Sequence, residues 1–145
     1  MDELYMEAAL KEARKAMELG EVPIGSVLVK DGKIVAKGHN ETEKRQDPTA
    51  HAEINVIKKG AKKLGKWRLL DTTLYVTIEP CMMCAGAIIS ARVRRLVFGA
   101  LEPKTGAVHK MKPGIIIEGG VLADEALKLM QTFFKRLRRG TEVWP

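Results

Sequence analysis

The sequence predicts an α/β protein with three layers, α/β/α, in which helices flank one five-stranded mixed sheet. Segments with helical spacing of apolar residues alternate with short apolar or β-branched runs, in the order α-β-β-α-β-α-β-β-α. Alternation of helices and strands is typical of layered α/β domains. The length of 145 residues allows one core that buries about 68–70% of the surface of the unfolded chain. We therefore expect residues 1–145 to form a single domain.

The first half of the chain is predicted to contain two helices around a β-hairpin. Residues 3–19 carry apolar side chains near helical spacing, and Gly20 follows as a typical helix end. Residues 24–40 contain two β-branched runs joined by an Asp-Gly dipeptide, which is typical of a hairpin turn. A polar loop over 41–48 then leads into a helix predicted over 49–64.

The second half is predicted to alternate strands and helices. The apolar β-run at 72–78 predicts a buried strand, and a helix follows over 82–91. A further strand is expected at 94–100. After a loop rich in Pro and Gly, a short strand at 115–118 and a final helix at 123–139 complete the order.

Composition limits the class of protein. The net charge of +7 permits contact with a polyanion such as a nucleic acid. The chain has only two cysteines, which excludes a disulfide scaffold. No apolar run approaches the ~18 residues that cross a bilayer, and the charged N-terminus does not resemble a signal peptide. We therefore expect no membrane contact and a cytoplasmic location, where thiols stay reduced.

The two cysteines and a histidine predict a zinc site. Cys81 and Cys84 have C-x-x-C spacing at a strand-to-helix junction, where a helix N-terminus favours thiolate. His51 lies at the start of another helix and is the candidate third ligand. One imidazole and two thiolates suit a tetrahedral Zn²⁺ ion. Three protein ligands leave a position for water, which is the arrangement of catalytic rather than structural zinc.

Glu53 is the candidate proton carrier beside this metal. Zinc brings the pKa of a bound water to about 7, and a nearby carboxylate can move its proton to a substrate. Residues two apart do not share one face of a regular helix, so His51 must lie at the irregular first turn if both act together. Asp47 and Thr49 are both candidate N-caps, so the sequence does not determine at which residue the helix begins.

Two other interpretations of these residues stay open at this point. A C-x-x-C pair in a reducing compartment can be a redox dithiol. Alternatively, His39 or His109 could supply a fourth ligand, which would make the zinc structural.

Beyond single residues, two motifs carry a resemblance to a known family. The stretches "DPTAHAE" and "TLYVTIEPCMMCAGAI" contain H-x-E followed by P-C-x-x-C, the signature of zinc nucleobase deaminases. Together with "EVPIGSVLV", "GHN" and "KTGA", they resemble the bacterial-type tRNA-specific adenosine deaminases (the TadA family) of the cytidine deaminase-like superfamily. The likeness covers about 4–138. It implies the cytidine deaminase-like fold and hydrolytic deamination of adenosine to inosine at the wobble position of a tRNA anticodon.

The resemblance also implies roles for individual residues. His51, Cys81 and Cys84 would hold one zinc ion per subunit, and Glu53 would move protons. Further positions match residues that line the base pocket or contact the nucleic acid in the family, namely Asn40, Val22, Pro23, Glu102, Lys104, Phe133 and Arg136. The family acts as a homodimer on the anticodon stem-loop of tRNA.

Two other functions remain as alternatives. The loop after Ala107 is shorter than the family's and lacks its Asn-His pair, which favours a deaminase of a free nucleobase or nucleoside of the cytosine or guanine type. The third candidate is a non-catalytic nucleic-acid-binding module with structural zinc. Glu53 separates that candidate from the enzymes, because a structural site has no use for an unligated carboxylate.

Overall fold

The computed structural model describes residues 1–111 and 114–140, and the predicted five-stranded mixed sheet with flanking helices is confirmed. The helices are α1 (Asp2–Glu18), α2 (Thr42–Arg45), α3 (Ala52–Leu64), α4 (Met82–Ser90) and α5 (Ala123–Arg138). The strands are β1 (Gly25–Lys30), β2 (Lys33–His39), β3 (Thr72–Ile78), β4 (Arg95–Ala100) and β5 (Ile116–Glu118). Among the described residues, no helix is both long and apolar enough to cross a membrane.

The sheet combines a hairpin with three parallel strands. Its order is β2-β1-β3-β4-β5, with β1 antiparallel to both β2 and β3. The strands β3, β4 and β5 are parallel. Parallel neighbours place their carboxyl ends at one edge of the sheet, so the segments that follow β3 and β4 lie beside each other.

Alternation along the strands divides the core between two helical layers. Val27, Val29 and Tyr75 pack with α1, where Tyr5 and Met6 are buried. Residues at the intervening positions pack on the opposite face with Val56 of α3 and Ile88 of α4, and they include Leu28, Leu74, Val76 and Leu96. Successive side chains of a strand point to opposite faces, so each central strand contributes to both layers.

The structure differs from the sequence prediction at three helices. The helix predicted from 49 begins at Ala52, because Asp47 instead holds a turn by accepting hydrogen bonds from the Thr49 amide and hydroxyl at 2.8 and 2.7 Å. The polar loop at 41–48 contains the short helix α2. In α1, Leu4 is one of the apolar residues whose helical spacing predicted this helix, but it is 62% exposed.

Candidate active site

The proposed metal ligands lie at the N-termini of two helices that meet at one edge of the sheet. His51 is the N-cap of α3 and Cys81 is the N-cap of α4, both with extended backbone and without a side-chain capping bond. Cys84 and Glu53 follow inside the first turns of α4 and α3. Because His51 stands outside the regular helix, it is not bound by the spacing that separates positions i and i+2.

His51, Cys81 and Cys84 form a cluster that could hold a metal ion. Their ligand atoms all lie within 4.8 Å of one another. The His51 Nδ1 atom lies 3.6 Å from Cys81 Sγ and 3.5 Å from Cys84 Sγ. Usual Zn–N and Zn–S bond lengths at a tetrahedral angle give an N···S separation of about 3.6 Å. The donor set and its spacing therefore fit zinc.

Burial decides the ionisation of these groups. It lowers the pKa of His51, which favours the neutral imidazole that binds metals. For Cys84, the sequence predicted that the helix start would favour thiolate. Burial instead raises the pKa of this thiol, and the nearby Glu53 and Cys81 raise it further. A nearby cation must offset this cost before Cys84 ionises, as a bound metal does.

Glu53 is a buried carboxyl group beside the cluster. It is 4% exposed, and burial raises its pKa to about 7. The neighbouring Cys84 thiol offsets this rise of the pKa in part. A carboxyl group with a pKa near neutrality can both take and give a proton at physiological pH. Its environment is therefore that of a general acid–base.

The candidate fourth ligands lie apart from the cluster. His39 Nδ1 contacts the Glu12 carboxylate at 3.3 Å, across the face of the sheet that carries α1. His109 is an exposed residue of a 3-10 turn at Val108–Lys110. Neither belongs to the group of ligand atoms within 4.8 Å of one another in the described part of the chain.

Asn40 is held in one orientation by its neighbours. Its amide Nδ2 donates to Glu21 Oε1 at 3.3 Å and to Thr42 Oγ1 at 3.2 Å. Glu21 is 1% exposed and also accepts from the backbone N–H of Glu43 at 3.0 Å and of Lys44 at 2.8 Å. With its nitrogen engaged on both sides, Asn40 has its Oδ1 atom left to accept a hydrogen bond.

The segment before β1 brings Asn40 together with the other predicted pocket residues. The Asn40 amide N–H donates to the Ile24 carbonyl at 3.1 Å, directly after Pro23. Pro23 is buried and Val22 is partly buried. On the other side, Asn55 of α3 donates to the His39 carbonyl at 2.8 Å. These bonds fix the 22–24 segment and the end of β2 relative to α3.

Another buried carboxylate, Glu79, fixes the loop that follows β4. It accepts hydrogen bonds from the backbone N–H of Glu102 at 3.0 Å and of Val108 at 3.2 Å. Gly106 forms a β-bridge with Cys81. A Cβ atom at Gly106 would overlap the Glu79 carboxyl group. The loop therefore lies directly beside a predicted ligand.

This loop borders a cavity that reaches Cys81, one of the predicted ligands, but is not lined by His51, Cys84 or Glu53. The cavity has a volume of about 500 Å³ and is lined by residues that include Cys81, Met82, Lys104, His109 and Lys110. Ligand pockets usually have volumes of about 300–1,000 Å³. Its size and its basic wall suit a nucleotide.

The C-terminal helix presents a different aromatic residue from the one predicted. Phe133 was expected to contact the substrate, but it is fully buried and packs edge-to-face with Phe134 at 5.3 Å. Phe134 is 38% exposed and lines a cavity of about 360 Å³ together with Glu102 and Arg138. Arg136 is exposed on the same helix. The candidate aromatic contact is therefore Phe134.

Sequence reasoning missed three residues that position the site: Glu21, Asn55 and Glu79. Each makes at least one hydrogen bond to a residue 14 or more positions away. The signal available in the sequence was the position of two acids, Glu21 directly before Val-Pro and Glu79 directly before Pro-Cys. Neither signal says that the carboxylate is buried.

Comparison with known proteins identifies the family. A family model described as MafB19-like deaminase matches residues 1–138. The tRNA-specific adenosine deaminase of Bacillus subtilis is 48% identical over 147 residues, covering 95% of this chain and 91% of that protein. The chloroplastic tRNA(adenine(34)) deaminase of Arabidopsis thaliana is 46% identical over 160 residues. That match covers 93% of this chain but only 12% of the plant protein.

Solved structures agree with the family model. A structure from work on A-to-I editing by tRNA:A34 deaminases has a TM-score of 0.83 at 46% identity, over 86% of this chain and 97% of that one. The guanine deaminase of Bacillus subtilis has a TM-score of 0.68 at 41% identity, over 70% of this chain and 65% of that one. Fold and site together define a nucleobase deaminase. The chain belongs to the MafB19-like deaminase family, in the group of the tRNA-specific adenosine deaminases.

Proposed function

We propose that this chain hydrolyses adenosine to inosine at the wobble position of a tRNA anticodon, through one deaminase domain that spans residues 1–145. The observation that carries this proposal is the buried Glu53 carboxyl group beside the cluster of His51, Cys81 and Cys84. This chain covers nearly the whole length of the Bacillus subtilis relative and of the tRNA:A34 deaminase structure. Both are named for adenosine deamination of tRNA, which supports the choice of substrate.

The metal in this proposal is zinc, one ion per subunit, held by His51, Cys81 and Cys84. When bound, zinc supplies an electrophile that lowers the pKa of water to near neutrality. The imidazole is favoured in its neutral, ligating form by burial. A dithiol redox function is disfavoured, because His51 Nδ1 lies against both sulfur atoms and supplies a third ligand.

Glu53 carries the protons of the reaction. It takes a proton from the attacking water and delivers it to the ring nitrogen beside C6 of the base. As the C–N bond to the exocyclic amine breaks, Glu53 passes the second proton to the departing nitrogen. The water oxygen remains on C6 and ammonia leaves, so that adenosine and water become inosine and ammonia. A pKa of about 7 allows this cycle near neutral pH.

The base is held by the residues around Asn40. In this proposal, the Asn40 Oδ1 atom accepts a hydrogen bond from the flipped nucleoside, and Val22 and Pro23 form part of the pocket wall. Glu102 and Lys104 on the loop after β4 meet the flanking backbone. Arg136 and the exposed Phe134 contact the anticodon loop, whose unpaired bases leave the stack at low cost.

We further propose that the protein acts as a cytoplasmic homodimer through the outer face of α4. This face exposes Met82 at 64%, Met83 at 36% and Ile89 at 36%. Apolar side chains clustered on one exposed helix face are typical of an interface. The location is supported by the two thiols of the site, which must stay reduced.

The dimer is tested by charge substitution on this face. Met83→Glu with Ile89→Glu should convert the dimer into a monomer, because burying two carboxylates costs several kcal/mol. Sedimentation equilibrium measures the mass. Leu4→Glu is the matched control, since Leu4 is 62% exposed on α1. A wild-type monomer, or a double variant that remains dimeric, contradicts the proposal.

The function is tested by an assay that separates the candidate substrates. Purified protein is supplied with a tRNA anticodon stem-loop, free adenosine, free cytosine or free guanine, and released ammonia is measured. We expect release with the stem-loop and inosine in the recovered RNA. Release with guanine or cytosine alone would establish the free-base alternative, and no release from any substrate would favour the non-catalytic module.

Glu53→Gln tests the proton carrier. The amide keeps the shape of the side chain but cannot take a proton, so turnover should fall by roughly 10²–10⁴-fold or more. Zinc content and the thermal unfolding midpoint should stay close to wild type, since the ligands remain. Turnover within threefold of wild type would end the proposed role of Glu53.

A further inference from the structure

A basic patch lies at the opposite ends of α3 and α4 from the candidate active site. We define it by Lys66, Trp67, Arg68, Arg92 and Arg94, all of which are exposed. The first three follow the C-terminus of α3, and the two arginines follow the C-terminus of α4. None of these residues has a part in the proposed chemistry.

The two loops of the patch are joined into one surface. The Leu69 amide N–H donates to the Ala91 carbonyl at 2.7 Å, and the Arg94 amide N–H donates to the Thr72 carbonyl at 3.2 Å. The basic patch is therefore built on backbone that the β3 and β4 strands hold in place.

The centre of the basic patch is an exposed indole ring flanked by guanidinium groups. Trp67 is 57% exposed. Arg68 Cζ lies 4.2 Å from the centroid of the ring, and Arg92 Cζ lies 5.9 Å from it. Cation–π contacts of this kind hold the guanidinium groups at the surface. Arg92 Nη1 also donates to the Ile89 and Ser90 carbonyls at 3.3 and 3.5 Å, and a guanidinium has further N–H donors for a ligand.

The charge of the basic patch is poorly balanced. Asp71 is the one acidic residue in the segments 58–71 and 90–95. It meets Arg94 at a distance of 4.0 Å, and both side chains are exposed. Such an ion pair contributes little. Lys62 and Lys63 in the last turn of α3 extend the positive surface. The local field therefore attracts a polyanion.

The distance to the active site suits a nucleic acid that spans both. Helix α3 contains 13 residues, and at a rise of 1.5 Å per residue it separates His51 from the basic patch by about 20 Å. An RNA loop bound at the active site continues into a double-helical stem whose phosphates extend over such a distance. Arginine and lysine bind phosphates without regard to sequence, as a stem of variable sequence requires.

We propose that the basic patch binds the phosphate backbone of a double-helical RNA stem, such as the stem of the tRNA whose loop occupies the active site. The proposal rests on the proposed function for the identity of the RNA. Trp67 holds Arg68 and Arg92 in position, and Arg94 and Lys66 widen the contact. The patch supplies affinity for the folded tRNA and takes no part in the deamination step.

The first experiment removes charge from the basic patch. Arg68→Ala, Arg92→Ala and Arg94→Ala are combined, and the control combines Lys11→Ala, Arg14→Ala and Lys33→Ala, which remove the same charge from exposed positions elsewhere. We expect the patch variant to bind full-length tRNA at least about tenfold more weakly. The slope of log K against log salt should become shallower by roughly 2 to 3. The control should stay within about threefold of wild type.

The second experiment observes the patch directly. The chain has two tryptophans, so Trp144→Phe leaves Trp67 as the only one. Addition of full-length tRNA should change its fluorescence with the same Kd as the binding assay. A single-stranded oligonucleotide of the anticodon loop sequence should leave it unchanged. Turnover of this oligonucleotide should be the same in the patch variant and wild type.

Several outcomes would overturn the proposal while leaving the proposed function intact. One is a patch variant that binds tRNA with the affinity of wild type, and another is Trp67 fluorescence that does not change when tRNA is added. A third is conversion of the patch variant to a monomer, which would make the patch a subunit contact. The proposed function fails separately, if wild-type protein binds tRNA through the patch but produces no inosine.

Discussion

At the scale of single residues, two buried glutamates have opposite environments. Glu21 accepts three hydrogen bonds, from the Asn40 side chain and from two backbone N–H groups. For Glu53, burial raises the pKa to about 7, and among the described residues only its own backbone N–H and the Cys84 thiol offset this rise. A carboxylate surrounded by donors is a fixed anion, whereas one that lacks them exchanges its proton readily. Glu21 is therefore a positioning residue and Glu53 a catalytic one.

The positioning role of Glu21 predicts a substitution that acts through Asn40. In Glu21→Gln, an amide nitrogen replaces one acceptor oxygen, so either Asn40 or the start of α2 loses its partner. A hydrogen bond to a charged group contributes about 1.5–3 kcal/mol. We expect kcat/KM on the anticodon stem-loop to fall roughly tenfold or more, mainly through KM.

A double-mutant cycle separates this role from a general loss of stability. If Glu21 acts through Asn40, Glu21→Gln should change kcat/KM little in an Asn40→Ala background. Equal losses in both backgrounds would show that Glu21 serves only to hold α2. Urea unfolding of each variant provides the independent measure of stability.

At the scale of elements, the loop between β4 and the 3-10 turn depends on Glu79 and Gly106. Glu79 accepts from both ends of this loop, and the Ala107 amide N–H donates to the Pro80 carbonyl at 2.9 Å. The loop is thereby tied to the segment that carries Cys81. The backbone of Gly106 lies so close to the Glu79 carboxyl group that a side chain at position 106 would overlap it. The loop can adopt this position because residue 106 is glycine.

Gly106→Ala should displace the loop without removing the metal. The added methyl group would overlap the Glu79 carboxyl group and press on the Glu102 carbonyl at 2.5 Å, so the loop must shift. We expect zinc content to stay near one ion per subunit and kcat/KM for the stem-loop to fall roughly tenfold or more. Metal analysis and initial rates measure the two effects. Glu79→Gln should act in the same direction, and wild-type rates in both variants would contradict this account.

At the scale of the whole molecule, Arg95 joins the first helix to the sheet. Its guanidinium donates two hydrogen bonds to Asp2, at 2.8 and 2.6 Å, and contacts Glu118 of β5 at 2.9 Å. The Tyr75 hydroxyl donates to the same Asp2 carboxylate at 2.6 Å. Residues from α1, β3, β4 and β5 thus meet around one cation.

This network predicts a pH-dependent contribution to stability. Hydrogen bonds from Arg95 lower the pKa of Asp2 from 3.8 to about 2. The carboxylate therefore stabilises the folded protein above about pH 4, and its contribution is lost as the pH falls toward 2. Asp2→Asn should lower the free energy of unfolding by roughly 1–2 kcal/mol at pH 7, with allowance for the partial exposure of the pair.

Urea unfolding between pH 7 and pH 2 tests this prediction. The difference between wild type and Asp2→Asn should shrink over the range from about pH 4 to pH 2. Asp31→Asn is the matched control, because Asp31 lies in the exposed turn between β1 and β2. A difference that stays constant with pH would show that the Asp2 charge is not the source of the effect.

The parts that could be predicted from sequence are those with a local cause. The strand at 72–78 was predicted with the bounds it has, because an uninterrupted apolar β-run determines it. The start of α3 was placed too early, since Asp47 and Thr49 look like caps but bond to each other. Phe133 was predicted as a contact from the resemblance alone, which does not say that this position of α5 faces the core. Glu21 and Glu79 were missed because their partners are distant in sequence.

The order of strands has a consequence for how this enzyme class can change. Every residue in the proposed chemistry precedes Ala107, whereas β5 is the outermost strand and pairs only with β4 among the described strands. The connection into β5 can therefore be lengthened or replaced while the catalytic apparatus keeps its scaffold. We expect chimeras that carry a longer relative's connection to retain the chemistry and acquire a different range of substrates.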